Sequence, residues 1–317
     1  MIAYLLKRLG LVVPIALAVS VVCFALVYLA PGDPLSAVVP SDASKEMVEE
    51  LKKEYGFDKP IPVQYAVWLG RVLQGNLGQS IATGRPVATE IGNAIGNTLI
   101  LAFAASLVGF TLGAVLGTIA GYFSGSWIDK AVSAIAVAGV SVPHYWLGMV
   151  LVIVFSVILG WLPAMGAGPG GSGEWTWDAE HVKHLILPAI ALSVIPTSIV
   201  TRTIRALVAD TLSKEFVTAL VAKGLGQGAI FMHVVKNVAP TALAVMGVQL
   251  GYLMGGSILI ETVFSWPGTG FLLNTAIFQR DVPLLQGTIL VLAMFFVALN
   301  LVVDIVQTAL DPRIRRT

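Results

Sequence analysis

Six stretches of this chain are each long and apolar enough to cross a bilayer as a helix, and this restricts the fold more than any other feature. They cover residues 9–30, 98–122, 131–159, 185–204, 241–263 and 285–310. Crossing about 30 Å of hydrocarbon at ~1.5 Å per residue takes roughly 20 residues of helix. Inside hydrocarbon each backbone N–H and C=O needs a protein partner, and a helix supplies those partners within one segment. An all-α membrane protein with six transmembrane helices is therefore expected. Pro143 lies inside the third stretch and removes one ladder hydrogen bond, so a kink is expected there. Composition agrees: 12% of the 317 residues are charged and 56% hydrophobic, with mean hydropathy +0.86. Soluble domains carry about 25% charged residues.

Lys7 and Arg8 precede the first stretch, as they would in a secretory signal. At 22 residues the stretch exceeds the roughly 7–15 of a signal's apolar region, so a retained span is expected. With the amino terminus inside, the inner segments hold Lys7, Arg8, Lys130, Arg202, Arg205, Lys214, Lys223, Lys236, Arg313, Arg315 and Arg316. The short outer loops then hold only Lys183 and Arg280. That asymmetry places both termini in the cytoplasm. The chain then divides into the first span (1–30), an extracytoplasmic segment (31–97), a five-helix core (98–310) with an inner loop at 205–240, and a basic tail (311–317).

The outer segment carries two amphipathic patterns. Ser41 or Asp42 can cap a helix with Met47, Val48, Leu51 and Tyr55 on one face and Lys45, Glu49, Lys52 and Lys53 opposite. After Pro60 and Pro62, Tyr65, Trp68, Leu69 and Val72 share a second face. Both helices are expected near the outer membrane surface. The outer loop WLPAMGAGPGGSGEWTWDAEHVKH, rich in glycine and tryptophan, reads as irregular.

Several chemistries lack their residues. No G-x-x-x-x-G-K-[ST] occurs, and GLGQG at 224–228 has neither a preceding strand nor a following Lys-Ser/Thr, so no nucleotide site of the chain's own is expected. No H-E-x-x-H or G-x-S-x-G is present, and no span holds a carboxylate near its centre. This disfavours an enzyme and an ion-coupled carrier. Cys23, the single cysteine, sits in an apolar run and reads as a packing residue. His181 and His184, one turn apart beside Glu180, have metal-ligand spacing if their loop is helical; a solvated loop is the alternative. His144, Gln249 and Tyr252 are polar groups at membrane depth, candidates for a translocation pathway or for satisfied packing. Glu261 and Asp304 lie at span ends, where acids cost least.

Two spans carry glycine every fourth residue: Gly109, Gly113, Gly117 and Gly121 in one, Gly247, Gly251 and Gly255 in the other. Such grooves admit a neighbouring backbone, either as static packing or as a sliding face.

The inner loop 205–240 is too patterned for a plain connector. Phe216, Leu220 and Lys223 fit one helix, Gly224 a stop, and Ala229–Asn237 a second helix leading into Pro240. The result is a compact knob suited to docking in a groove of another protein.

In this loop Thr218-Ala219-Leu220-x-x-x-Gly224 resembles the E-A-A-x-x-x-G pattern of bacterial ABC-importer permeases, with Thr for Glu and Leu for the second Ala. Val234-Val235-Lys236-Asn237 replaces that family's later I-x-L-P in the manner of its peptide and nickel branch. PGDP (31–34), NLGQS (76–80), SVPHYWLG (141–148), WLPAMG (161–166), LILPAIALS (185–193), ETVFSWPGTG (261–270) and LDPRIRR (310–316) are similar to that branch too. The resemblance implies a type I ABC importer permease fold in the bacterial inner membrane. It implies a second homologous permease, two cytosolic ATPases that use ATP and Mg, and an extracytoplasmic substrate-binding protein, with no cofactor bound by this chain and no nucleic acid. Thr218, Ala219, Leu220 and Gly224 would contact the ATPase. Substrates implied by the branch are dipeptides, oligopeptides, glutathione or nickel.

Overall fold

The computed structural model describes residues 2–29, 44–46, 48, 49, 52, 58–171 and 175–310. The helix expected to start at Ser41 or Asp42 falls mostly outside these residues, as does the basic tail 311–317. The described chain is helical: α1 (Ile2–Leu29), α2 (Ile61–Leu73), α3 (Val87–Tyr122), α4 (Trp127–Ser141), α5 (His144–Leu151), α6 (Ala179–Leu212), α7 (Glu215–Ala222), α8 (Gln227–Val263), α9 (Thr269–Gln279) and α10 (Val282–Leu310). A π-helical segment, Val152–Ile158, continues α5. Four helices, α3, α6, α8 and α10, are long and apolar enough to cross a membrane, and the bent pair α4 and α5 with its π segment makes a fifth if it is one span. α1 is helical over 28 residues, with Val12–Ala25 as its apolar described part.

Three helices reach further than their apolar runs. α3 begins at Val87 because Val87, Ile91 and Ala94 bury one face well before the apolar run starts at 98. α6 begins at Ala179 because the Asp178 carboxylate accepts from the His181 N–H at 2.9 Å, satisfying a free first-turn donor. α8 corrects the expectation of a separate helix ending before Pro240. It runs unbroken through that proline, since Val234, Val238 and Ala242 form one buried stripe on both sides of it. Packing along that stripe outweighs the single ladder bond that proline removes.

The expected kink at Pro143 is a full break. Val142 and Pro143 are both extended, with ψ 126° and 123°, and the two helical arms meet at 98°. The ring of a proline pushes the residue before it out of the helical region, so α4 has to stop at Ser141.

The chain forms two compact units. The first comprises residues 1–98 and 267–298. Its core gathers Val87, Ile91, Ala276 and Leu284. α2 turns the expected aromatic face onto α1: Tyr65 Oη lies 2.7 Å from Ser20 Oγ, and the Phe24 ring sits 5.4 and 5.7 Å from those of Tyr65 and Trp68. Buried Asp281 accepts from Ser80 Oγ (2.5 Å) and from the Ala82 and Leu284 N–H groups (3.2 and 3.1 Å), pinning loop 80–82 to the start of α10.

The second unit comprises residues 99–266 and 299–317, with α6 at its centre. Val200, Ile204 and Val208 of α6 pack on Val234, Val238 and Ala242 of α8. Glycines of α3 meet another side of α6, and α4 meets it through an ion pair. Asp129 accepts from Arg205 Nε and Nη2 at 2.8 and 2.6 Å, and from the Gly125 N–H at 2.8 Å. A charge this buried needs several donors at once, and Asp129 has them.

Candidate functional site

The knob expected from the inner loop is formed by α7, the four-residue connection 223–226 and the first turns of α8. α7 ends in a Schellman motif. Leu225 N–H donates to the Leu220 carbonyl (3.2 Å) and Gly224 N–H to that of Val221 (2.9 Å), with Gly224 at φ +77°. An L side chain there suffers a steric penalty of about 1–2 kcal/mol, which glycine escapes. Gly226 then opens α8, its carbonyl receiving the Ala229 and Ile230 N–H groups.

The knob has an anchoring face and a presented face. Val217, Ile230 and Val234 are buried. Thr218, Ala219 and Gly224 are exposed, and Leu220 is half-buried. The motif residues are thus split: Thr218 and Ala219 are offered outward, Leu220 helps seat the helix, and Gly224 shapes the turn. Sequence reading missed the apolar side chains beside them. Val221 (55% exposed) and Met232 (54%), with Phe231 and Val235, project large apolar groups from an otherwise anchored element. The signal was present as four apolar residues off the buried stripe at positions 217, 230 and 234. Contact with another protein is what such a surface can do.

The pathway candidates come together only in part. His144 Nε2 lies 3.2 Å from the Gly256 carbonyl, at the start of α5 where the broken span resumes. A Cβ built on Gly256 would sit 3.6 Å from Tyr252 Cε1 and 4.0 Å from His144 Nε2, so the histidine and tyrosine share one spot. Gln249 is buried, one turn earlier on α8, and its Oε1 has no partner among the described residues. Glu261, at the end of α8, is fully buried rather than merely at a span terminus.

His181 and His184 lie on the first turns of α6, so the helical condition on their spacing is met. Each is already engaged. His181 Nδ1 is 2.7 Å from Asp178 Oδ2 and 3.0 Å from Thr176 Oγ1, while His184 Nδ1 is 2.8 Å from the Glu180 carbonyl. Hydrogen bonds from the Thr176 hydroxyl, the His181 N–H and the His181 ring hold the Asp178 carboxyl well below the usual carboxylate range. The group works as a helix cap. Among the described residues no three His, Cys, Asp or Glu side chains gather as a metal site.

Comparison with known proteins covers the chain from end to end. The family described as "Binding-protein-dependent transport system inner membrane component" matches residues 113–316, and its N-terminal companion matches residues 1–102. A dipeptide transport system permease protein of Alkalihalophilus pseudofirmus is 36% identical over 334 residues, covering 99% of this chain and 100% of that one. A glutathione transport system permease protein of Escherichia coli is 36% identical over 316 residues, covering 99% of each. One from Salmonella choleraesuis is 35% identical over the same length and coverage.

Proposed function

The chain belongs to the family of binding-protein-dependent transport system inner membrane components, and from that premise we propose that it is the membrane-spanning permease subunit of an ATP-driven importer of peptides. The observation that carries this is the end-to-end similarity to a dipeptide permease. Glutathione is a second reading, favoured by equal similarity to a glutathione permease; as a tripeptide it is within the same ligand chemistry.

The finer assignments belong to this proposal. α1, α3, the bent pair α4–α5, α6, α8 and α10 are the six spans, and both termini face the cytoplasm. A second, homologous permease completes the pathway, two cytosolic ATPases hydrolyse ATP with Mg, and an extracytoplasmic binding protein delivers the ligand. The α7 knob meets the ATPase through Thr218 and Ala219, with Leu220 seating the helix and Gly224 setting its exit. ATPase closure then moves the knob and, through the α6–α8 packing, turns the pathway outward. His144 and Tyr252, gathered at Gly256, are pathway candidates; Gln249 supports them from the buried side.

The test is a pull-down from native-host membranes, wild type beside Gly224→Asp, combined with uptake of labelled dipeptide, glutathione and nickel in a strain lacking the chain. A second permease and P-loop ATPases are expected with wild type, the ATPases are lost from the variant, and peptide uptake follows ATPase retention. A chain recovered alone, or uptake driven by an ion gradient after ATP is removed, rules out the importer.

A further inference from the structure

An open groove of about 570 Å³ runs between α4 and α6, and neither the knob nor the pathway candidates line it. Its walls include Ser133 and Val137 of α4 and Ile199, Arg202, Thr203 and Arg205 of α6. The two helices run antiparallel here, because Asp129 pairs with Arg205 while Gly139, ten residues on, faces Val194 and Ser198. Ser133 and Arg202 therefore share one end of the groove, and Val137 and Ile199 lie about a turn further along. One end is cationic and hydroxylic, the other apolar.

The charge at the polar end is not cancelled. Arg205 gives Nε and Nη2 to Asp129, and that pair is neutral as a unit. Arg202, one turn away, is exposed and has no acidic partner among the described residues. A guanidinium offers a planar fork of donors suited to phosphate oxygens. Beside it stand the Thr203 hydroxyl and that of Ser133, which donates to Asp129 Oδ1 at 3.3 Å. Val137, half-exposed at 51%, continues the groove as apolar surface.

We propose that this groove seats one anionic phospholipid of the inner leaflet. Its phosphate binds Arg202 with the Thr203 hydroxyl, and an acyl chain lies over Val137 and Ile199. Basic pockets between membrane helices on the cytoplasmic side favour such headgroups, whereas a free anion has no use for the apolar end. The leaflet rests on the orientation proposed above; the chemistry of the groove does not.

The assembled importer is purified and placed in nanodiscs of phosphatidylcholine alone, or with a minor fraction of phosphatidylglycerol. Retained lipid is counted by native mass spectrometry and thermal melting is followed in both. Wild type is expected to keep phosphatidylglycerol in preference to phosphatidylcholine and to melt higher in its presence. Arg202→Gln lowers that preference about fivefold, the factor one surface arginine contributes toward an anionic headgroup, and Arg202→Lys recovers part of it. Val137→Trp fills the apolar end and removes the preference with the arginine intact. Undiminished retention in Arg202→Gln and Val137→Trp overturns the proposal, as does a wild type with no preference, which would mean that protein covers the groove. Inorganic phosphate raising the melting point equally in phosphatidylcholine discs would make the ligand a soluble anion and overturn the lipid. ATPase co-purification in the same preparations and peptide uptake by cells carrying the same variants separate this outcome from failure of the importer reading, which alone predicts both.

Discussion

Two glycine ladders with the same spacing differ in what covers them: all four glycines of one meet α6, while the last of the other opens outward. On α3, a Cβ at Gly109 would stand 3.2 Å from the Ser193 carbonyl oxygen, at Gly113 3.0 Å from that of Thr197, at Gly117 2.6 Å from that of Thr201, and at Gly121 2.7 Å from that of Arg205. Each step of four on α3 is matched by a step of four on α6, so the helices run parallel with their backbones in near contact. On α8, Gly251 is buried, but Gly255 is exposed and a Cβ there meets nothing within 4 Å. Val248, Tyr252 and Leu259 flank that opening and are exposed too. A small residue every fourth position thus specifies a smooth face, and what covers the face is decided elsewhere in the sequence.

The largest effect is expected where the neighbour is backbone. Gly117→Ala sets a methyl against a carbonyl oxygen that cannot rotate away without moving α6. Overpacking of this sort costs about 1–3 kcal/mol. Because α6 also carries the α8 stripe and Arg205, the loss should appear as a lower melting temperature and poor recovery in detergent. Gly109→Ala, with its nearest atom at 3.2 Å, is expected to cost clearly less. Equal losses in the two variants would mean that close approach is not what selects glycine on α3.

A milder case sits on α4. A Cβ at Gly139 collides with Ser198 Oγ, the end of a side chain rather than a backbone atom. Ser198 donates to the Val194 carbonyl at 2.8 Å, so the methyl displaces one hydrogen bond within α6. Gly139→Ala is expected to lower the melting temperature modestly, and adding Ser198→Ala to restore most of it. A double variant no better than Gly139→Ala would place the crowding on the backbone and make this contact like those of α3.

The difference between the ladders was not legible in the sequence, while much else was. Long apolar runs located α3, α6, α8 and α10, because helix length against bilayer thickness is a local property. Pro143 announced the break after α4, and Gly224 the end of α7, since both act through their own backbone angles. The helix extensions were hidden: the cap on α6 lies in a loop that reads as irregular, and the α8 stripe through Pro240 emerges only once α6 packs on it. Asp129 and Arg205 lie 76 residues apart, Ser80 and Asp281 201 apart. No periodicity connects such pairs. At the knob, the motif pointed to Thr218, Ala219, Leu220 and Gly224, but separating the residues that seat it from those it presents required the buried positions of Val217, Ile230 and Val234.

The starts of α6, which faces one ladder, and α8, which carries the other, differ as well. α6 has a side-chain cap in Asp178, whereas α8 begins at Gly226 with none. The folded state holds the Asp178 carboxyl below its unfolded value of about 3.9. Its contribution is therefore complete above that value and is lost as the pH falls through the lower, folded one. Asp178 is half-exposed, so the effect stays local. Asp178→Ala, or acid, should lower the protection of the amides at 179–182 relative to their intrinsic exchange at the same pH, and leave the α3–α6 contacts protected. Loss of protection near Thr197 and Thr201 would show that the ladder depends on the cap.

The smallest effect on this chain's own fold is expected at the open ladder. Gly255→Ala adds a methyl to empty space and replaces glycine within a helix, a change favourable by roughly 1 kcal/mol in intrinsic propensity. The isolated chain should melt at the same temperature or slightly higher, the reverse of Gly117→Ala. Gly255→Leu puts a larger side chain on that face, and its consequence depends on what lies there in the importer. If the second permease packs against Gly255 as closely as α6 packs against Gly117, Gly255→Leu leaves the isolated chain folded but lowers recovery of the permease pair in a pull-down. If the face meets lipid or the ligand pathway, the pair assembles normally; uptake then falls only in the pathway case. A Gly255→Ala chain that melts as low as Gly117→Ala would show both ladders to be occupied within the single chain, and the contrast between them would fall.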